Sequence, residues 1–184
     1  MKSKYFIFFS LCWFASCKLV KDNVIWIDNT SSRQLSVLIS NNSYLIPAYG
    51  GVEVTIEDGT YDIDVLDDST KTLLKHHDQI HINKDGILNV TDETYVIVNQ
   101  AYFTKPDVNV NAEKIKNEVV VGQYTYKGDI SLIGKDSSFI PKSWTFGLQE
   151  ELSLTQQQNV DYAIITKIYR KVDFEIDFLR NAAH

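Results

Sequence analysis

The chain has 184 residues, 44% of them hydrophobic, with 18 Lys and Arg against 24 Asp and Glu for a net charge of −6 with His neutral. A chain of this length can stand on its own hydrophobic core. Its acidic balance argues against nucleic acid as a partner, because phosphate neutralisation needs clustered Lys and Arg, and against direct binding to anionic lipid surfaces.

At the N-terminus, Lys2 and Lys4 precede an almost unbroken apolar stretch from Tyr5 to Ser16. A charged start and an apolar run well short of the roughly 20 residues needed to span a bilayer have the layout of a secretory signal. The run ends in Phe14-Ala15-Ser16-Cys17, which resembles the lipobox of bacterial lipoproteins, with Phe14 where Leu, Val or Ile is usual. The resemblance implies cleavage before Cys17 and lipidation of its sulfur, a stable anchor because more than one acyl chain is attached. Residues 1–16 are then the signal peptide and 17–22 a lipidated tether. The expected address is the bacterial cell envelope, foremost the outer membrane. The alternative is an ordinary secretory signal or an uncleaved anchor, the latter disfavoured by length. Cys12 would leave with the signal, so the processed chain would carry no free thiol and a net charge of −8, from 16 Lys and Arg against 24 Asp and Glu. Thiol catalysis and Cys-based metal sites are excluded on that reading.

From Asn23 to Ile82 apolar residues recur with period two between clusters of turn-forming residues, the pattern of antiparallel strands. Strands are predicted over 24–28, 34–40, 44–47, 52–56, 61–66, 72–75 and 79–82, separated by NTSSR, NNS, AYGG, EDGT and DDST. The clearest register is a hairpin turning at Glu57–Thr60. It pairs Ile56 with Tyr61, Val54 with Ile63 and Val52 with Val65 on one face, and sets Glu53 against Asp64 on the other.

The motif Gly59-Thr60-Tyr61-Asp62-Ile63-Asp64-Val65, entered from Val52-Glu53-Val54-Thr55-Ile56, resembles a strand pair of small β-sandwich modules in exported bacterial proteins. Residues 23–84 are similar to the PEGA and carboxypeptidase-regulatory-like families, although the PEGA tetrad itself is absent. The resemblance implies an immunoglobulin-like β-sandwich without enzymatic activity over residues 23–86.

A second β-rich unit is expected over 87–184. Strands are predicted at 87–90, 94–103, 119–126, 129–134 and 162–169, with a long polar loop after Phe103 and a Pro141/Trp144 segment. In the tail, Val172, Ile176 and Leu179 fit a short terminal helix, although Val172, Phe174, Ile176 and Phe178 also alternate as a strand would. The fold class is therefore mainly β, with a sandwich followed by a second β unit and a short C-terminal helix.

Three sets of residues stand out. Glu53, Asp62 and Asp64 share the outer face of the predicted hairpin, a patch suited to a cation or a cationic partner. Tyr124, Tyr126 and Trp144 are candidate aromatic contacts for a sugar or protein, against the plainer alternative of ordinary packing. His76, His77 and His81 form the main histidine cluster. On a strand, positions four apart lie about 13 Å from one another, too far to chelate one ion. No metal or cofactor is expected, and the nucleophile-elbow, zinc-protease and phosphate-loop motifs are absent. The expected function is lipid-anchored, non-enzymatic binding or scaffolding at the envelope. The alternatives are an immunity or inhibitor lipoprotein directed at a cationic partner and, from another class, a small glycan-acting hydrolase.

Overall fold

A computed structural model describes residues 21–103, 118–121, 124–151 and 162–182. Cys17, the expected signal segment, the expected polar loop after Phe103 and residues 156–158 lie outside the described residues. Thirteen strands and one helix make up the described residues, arranged in four small sheets with a short C-terminal helix.

The strands of residues 22–89, joined by one short later strand, form two of these sheets. A central sheet has the order β12-β7-β1-β4, and a flanking sheet the order β3-β2-β5-β6. Here β1 is Asp22–Asn29, β2 Leu35–Ile39, β3 Asn42–Ile46 and β4 Gly50–Glu57. They are followed by β5 Gly59–Asp67, β6 Leu73–Ile82, β7 Gly86–Asn89 and, later, β12 Phe139–Pro141. Between the two sheets lies one core: Ile25 and Ile27 of β1, Val54 and Ile56 of β4 and Leu88 of β7 meet Leu35, Val37, Ile39, Ile63, Val65 and Ile82. Each of these occupies an inward position of a period-two strand, which is why the alternation is so regular.

The predicted hairpin is corrected by this arrangement. β4 pairs with β1 and β5 pairs with β2 and β6, so the two strands belong to different sheets. Val54, Ile56, Ile63 and Val65 do share one core, but they face each other across it rather than standing side by side. Only Asp58 separates the strands, too short a link to fold back as a hairpin, and its N–H is held by the Lys21 carbonyl at 2.8 Å. The chain bends there and crosses between sheets.

Residues 72–75 and 79–82 belong to one strand rather than two. Between them β6 carries a bulge opposite Asp62, with Gln79 at φ 53°. The extra residue resets the alternation, so that His77 and Ile80 both turn inward although three positions apart.

The central sheet is covered on its other face as well. A third sheet, β11-β8-β13, consists of β8 Tyr95–Phe103, β11 Ile130–Ile133 and β13 Tyr162–Arg170. Its Tyr95, Ile97 and Ile168 pack on Ile87 and Ile140 of the central sheet, together with Trp144. The opposite face of this third sheet, through Val96 and Ile130, meets the hairpin β9 (Glu118–Val121) and β10 (Tyr124–Lys127), and Phe174 of α1 (Lys171–Ala182). The expected terminal helix is present, but Val172 and Ile176, whose spacing predicts it, are exposed, and Phe174 is the residue that packs against the sheet. The expected boundary at residue 86 falls at the first residue of β7, and both β7 and β12 lie in the central sheet.

Candidate functional site

On the outer face of the central sheet, beside the edge of the third sheet's cover, lies an open-sided cleft of about 210 Å³. Trp26 and Glu53 face it as direct cross-strand partners on β1 and β4. Val24, two residues before Trp26 and therefore on the same face, is 43% exposed at its mouth.

Trp26 is fixed in two ways. Its indole lies over Gly51, where an added methyl group would fall 2.4 Å from Cε2 and 2.5 Å from Nε1. Its Nε1 donates to Asp28 Oδ1 at 3.2 Å. One ring face and the N–H are thus committed to the protein, and the ring offers the cleft its remaining π-surface.

The far wall is the segment from Trp144 to Glu150. The N–H groups of Thr145 and Phe146 both donate to the Thr166 carbonyl, at 2.7 and 3.0 Å, and Ile168 N–H donates to the Phe146 carbonyl at 3.2 Å. Further on, the backbone curls around an ammonium group. Lys167 Nζ donates to the carbonyls of Gly147 and Glu150, and Glu150 Oε2 accepts the Gly147 N–H at 2.6 Å. Burial lowers the pKa of Lys167, with Asp177 and Glu150 opposing that shift. At the near rim Asp85 Oδ1 accepts the Val24 N–H at 2.9 Å, and its carbonyl accepts the Lys142 N–H at 2.7 Å. Of the three carboxylates at the cleft, Glu53 alone makes no hydrogen bond or ion pair with the described residues.

The predicted site residues are distributed differently from the expectation. Glu53 stands at the cleft on the central sheet, whereas Asp62 and Asp64 lie on the flanking sheet, so the three-carboxylate patch does not assemble. Asp64 hydrogen-bonds His76 Nδ1 at 2.6 Å, and that bond raises the His76 pKa. Asp62 accepts the N–H and the side-chain amide of Gln79 at 3.0 and 3.2 Å, clamping the bulge, and the backbone bond lowers its pKa. Among the described residues no group of three or more His, Cys, Asp or Glu is placed to hold a metal ion.

Of the aromatic candidates, Trp144 lines the cleft at 8% exposure, and Tyr126 is 2% exposed with its ring 4.7 Å from that of Phe174. Tyr124 belongs to β10, and its side chain lies outside the described residues. Among the described histidines, His77 alone points into the core; it is 4% exposed, and its Nδ1 meets Ser138 Oγ at 2.7 Å.

Sequence reasoning misses the polar centre behind the cleft. Asp28 is fully buried and receives Arg170 through Nε at 3.1 and 3.2 Å and through one terminal nitrogen at 2.5 Å. Tyr95 donates its hydroxyl to the same carboxylate at 2.7 Å. Burial works against the charge of Arg170, but the bonds to Asp28 outweigh it and raise the guanidinium pKa. An acidic residue at an outward strand position reads as solvated; only a second layer, from far along the chain, buries it.

No protein family, curated protein or solved structure matches the chain. Among the described residues no helix is long and apolar enough to cross a membrane.

Proposed function

We propose that the chain is a lipid-anchored, non-enzymatic binding protein of the bacterial cell envelope, with its ligand held in the cleft between Trp26 and Trp144. The cleft carries the reading. Two tryptophans meet there, Val24, Ile87 and Leu148 add apolar surface, and a carboxylate with no bond among the described residues stands at the edge, the general make-up of a small-ligand site. Asp85 and Glu150 already accept backbone N–H groups, which favours a recognition rim over a pair of working acid and base groups. The anchor rests on Phe14-Ala15-Ser16-Cys17. Two four-stranded sheets packed around one core support an immunoglobulin-like sandwich as the frame.

A second reading, an immunity or inhibitor lipoprotein acting on a cationic partner, draws support from the acidic charge of the chain. The test combines anchor and cleft. A fatty-acid analogue should label the wild type and not Cys17→Ala, and a photo-crosslinker at Gln149 should give a discrete adduct in native envelopes that Trp26→Leu removes. Labelling that survives Cys17→Ala refutes the anchor. Adducts from Gln149 that match those from Asp78, on the flanking sheet, refute the cleft.

A further inference from the structure

We infer that the Trp26–Trp144 cleft takes an organic cation, an ammonium or guanidinium group carried on a short apolar stem. The inference rests on the binding role proposed above and supplies its ligand class.

Size sets the first limit. At about 210 Å³ the cleft is smaller than the roughly 300–1,000 Å³ of pockets that enclose whole drug-sized ligands. It holds one head group or one side chain, and the rest of a larger ligand would extend through the open side.

The second constraint is the state of Trp26. Its N–H is spent on Asp28 and one ring face on Gly51, so toward the cleft it presents π-electrons and no donor. An indole face is the strongest aromatic partner for a cation. A sugar ring stacks on such a face too, but it then requires hydrogen bonds around its rim, and the nearest indole donor is taken.

Charge decides between cation and anion. Glu53, Asp85 and Glu150 line the cleft against Lys142, with the Lys167 ammonium held behind the far wall by the Gly147 and Glu150 carbonyls, so carboxylates outnumber cations there as they do in the whole chain. The field therefore attracts cations and opposes carboxylates and phosphates. Glu53, with no bond among the described residues, is the group placed to pair with the ligand's charge, while Val24, Ile87 and Leu148 supply apolar surface for the stem.

The same chemistry has two sources, a basic side chain on a protein or a free small amine. Calorimetry on the full, detergent-held chain would use N-acetyl-lysine methylamide for the first, choline for the second, and methyl glucoside as the neutral control. Saturable binding of a cation at about millimolar concentration is expected. Trp26→Leu should weaken it roughly 2- to 30-fold. Glu53→Gln, at an exposed position whose change leaves the core alone, should weaken it several-fold and flatten its salt dependence. Tighter binding of the lysine derivative assigns the cleft to a protein side chain; tighter binding of choline assigns it to a free amine. No saturable binding of either cation, or binding unchanged in Glu53→Gln, overturns the inference. A Trp26-dependent response to methyl glucoside as strong as that to the cations overturns it too, while leaving the cleft a binding site.

Discussion

Replacing Arg170 with Met removes one partner of a buried ion pair and leaves Asp28 as a charge without its counter-ion. The side chain of Asp28 is wholly inaccessible and that of Arg170 is 13% exposed, so solvent screens the pair little. Breaking a buried pair from one side costs about 3–5 kcal/mol. Asp28 would keep the hydroxyl of Tyr95 and the indole N–H of Trp26, and these two donors place the loss near the lower end, about 3 kcal/mol. With a urea m-value of about 2 kcal/mol/M, the midpoint should fall by roughly 1.5 M. Arg170 also donates to the carbonyls of Tyr49 and Gly50 at 3.3 Å, so the same change loosens the start of β4 beneath Trp26. The double variant Asp28→Asn/Arg170→Met supplies the internal control. The amide's single oxygen still accepts from Trp26, its NH2 can donate to the Tyr95 hydroxyl oxygen, and no charge is left buried, so the double variant should be more stable than Arg170→Met alone. Equilibrium urea unfolding followed by circular dichroism measures both. A loss below about 1 kcal/mol, the range of exposed pairs, would refute the reasoning. So would a double variant no more stable than the single one.

Gly51→Ala should cost about 1–3 kcal/mol, because its methyl group would lie 2.4 Å from the Trp26 ring and must push it toward the cleft. Gly134→Ala, with open space around the added carbon, is the control, and equal effects in melting and tryptophan emission would refute the packing. His77 should make stability fall as the pH drops below its ordinary value of 6.5, since burial first and the charge of Lys75 second lower its pKa and the folded state resists protonation. Stability from this group is complete above pH 6.5 and lost below it. The His76–Asp64 bond acts in the other window, complete below 6.5 and lost as the pH rises through the raised His76 pKa. Melting temperatures between pH 5 and 6.5 should therefore slope in the wild type and flatten in His77→Leu, and an unchanged slope would remove His77 as the cause.

Strand positions were legible wherever a strand has one wet and one dry face. Val52, Val54, Ile56, Ile63 and Val65 announce themselves by alternation, and the structure buries Val54, Ile56, Ile63 and Val65. Alternation reports which side of a strand is dry; it carries no information on which strand lies beside it. Alternation alone therefore makes β4 and β5 neighbours and groups Glu53 with Asp62 and Asp64, whereas the two strands oppose each other across the core. The bulge at Gln79 hid the continuity of β6 for a related reason, since one extra residue inverts the pattern. Gly86–Asn89, by contrast, is buried at all four positions and shows no alternation to read. A short apolar run of that kind marks a strand covered on both faces, and it was the one local hint that the central sheet has two partners.

That double cover is what makes the cleft. Ile87 and Ile140 sit on the outer face of the central sheet, and each fully buried aliphatic side chain is worth roughly 1.5–3 kcal/mol relative to exposure. Without Tyr95, Ile97 and Ile168 above them this face would stand in water, so the third sheet contributes to the stability of the central one. Its cover is incomplete toward the start of β1, where Trp26 is half-buried and Val24 is largely exposed. Trp26 sits at that seam, held by Gly51 beneath and by Asp28 beside it. Asp28 in turn is held by Arg170, from the far end of the chain. Trp144 and the turn around Lys167 close the other side from β13. The two walls of the cleft thus come from stretches far apart in the chain, Trp26 and Glu53 on one side and Trp144 to Glu150 on the other. A site assembled that way exists only when all the layers are in place, and a change that frees β13 from Asp28 should abolish ligand binding at concentrations of denaturant that leave the core between the first two sheets intact.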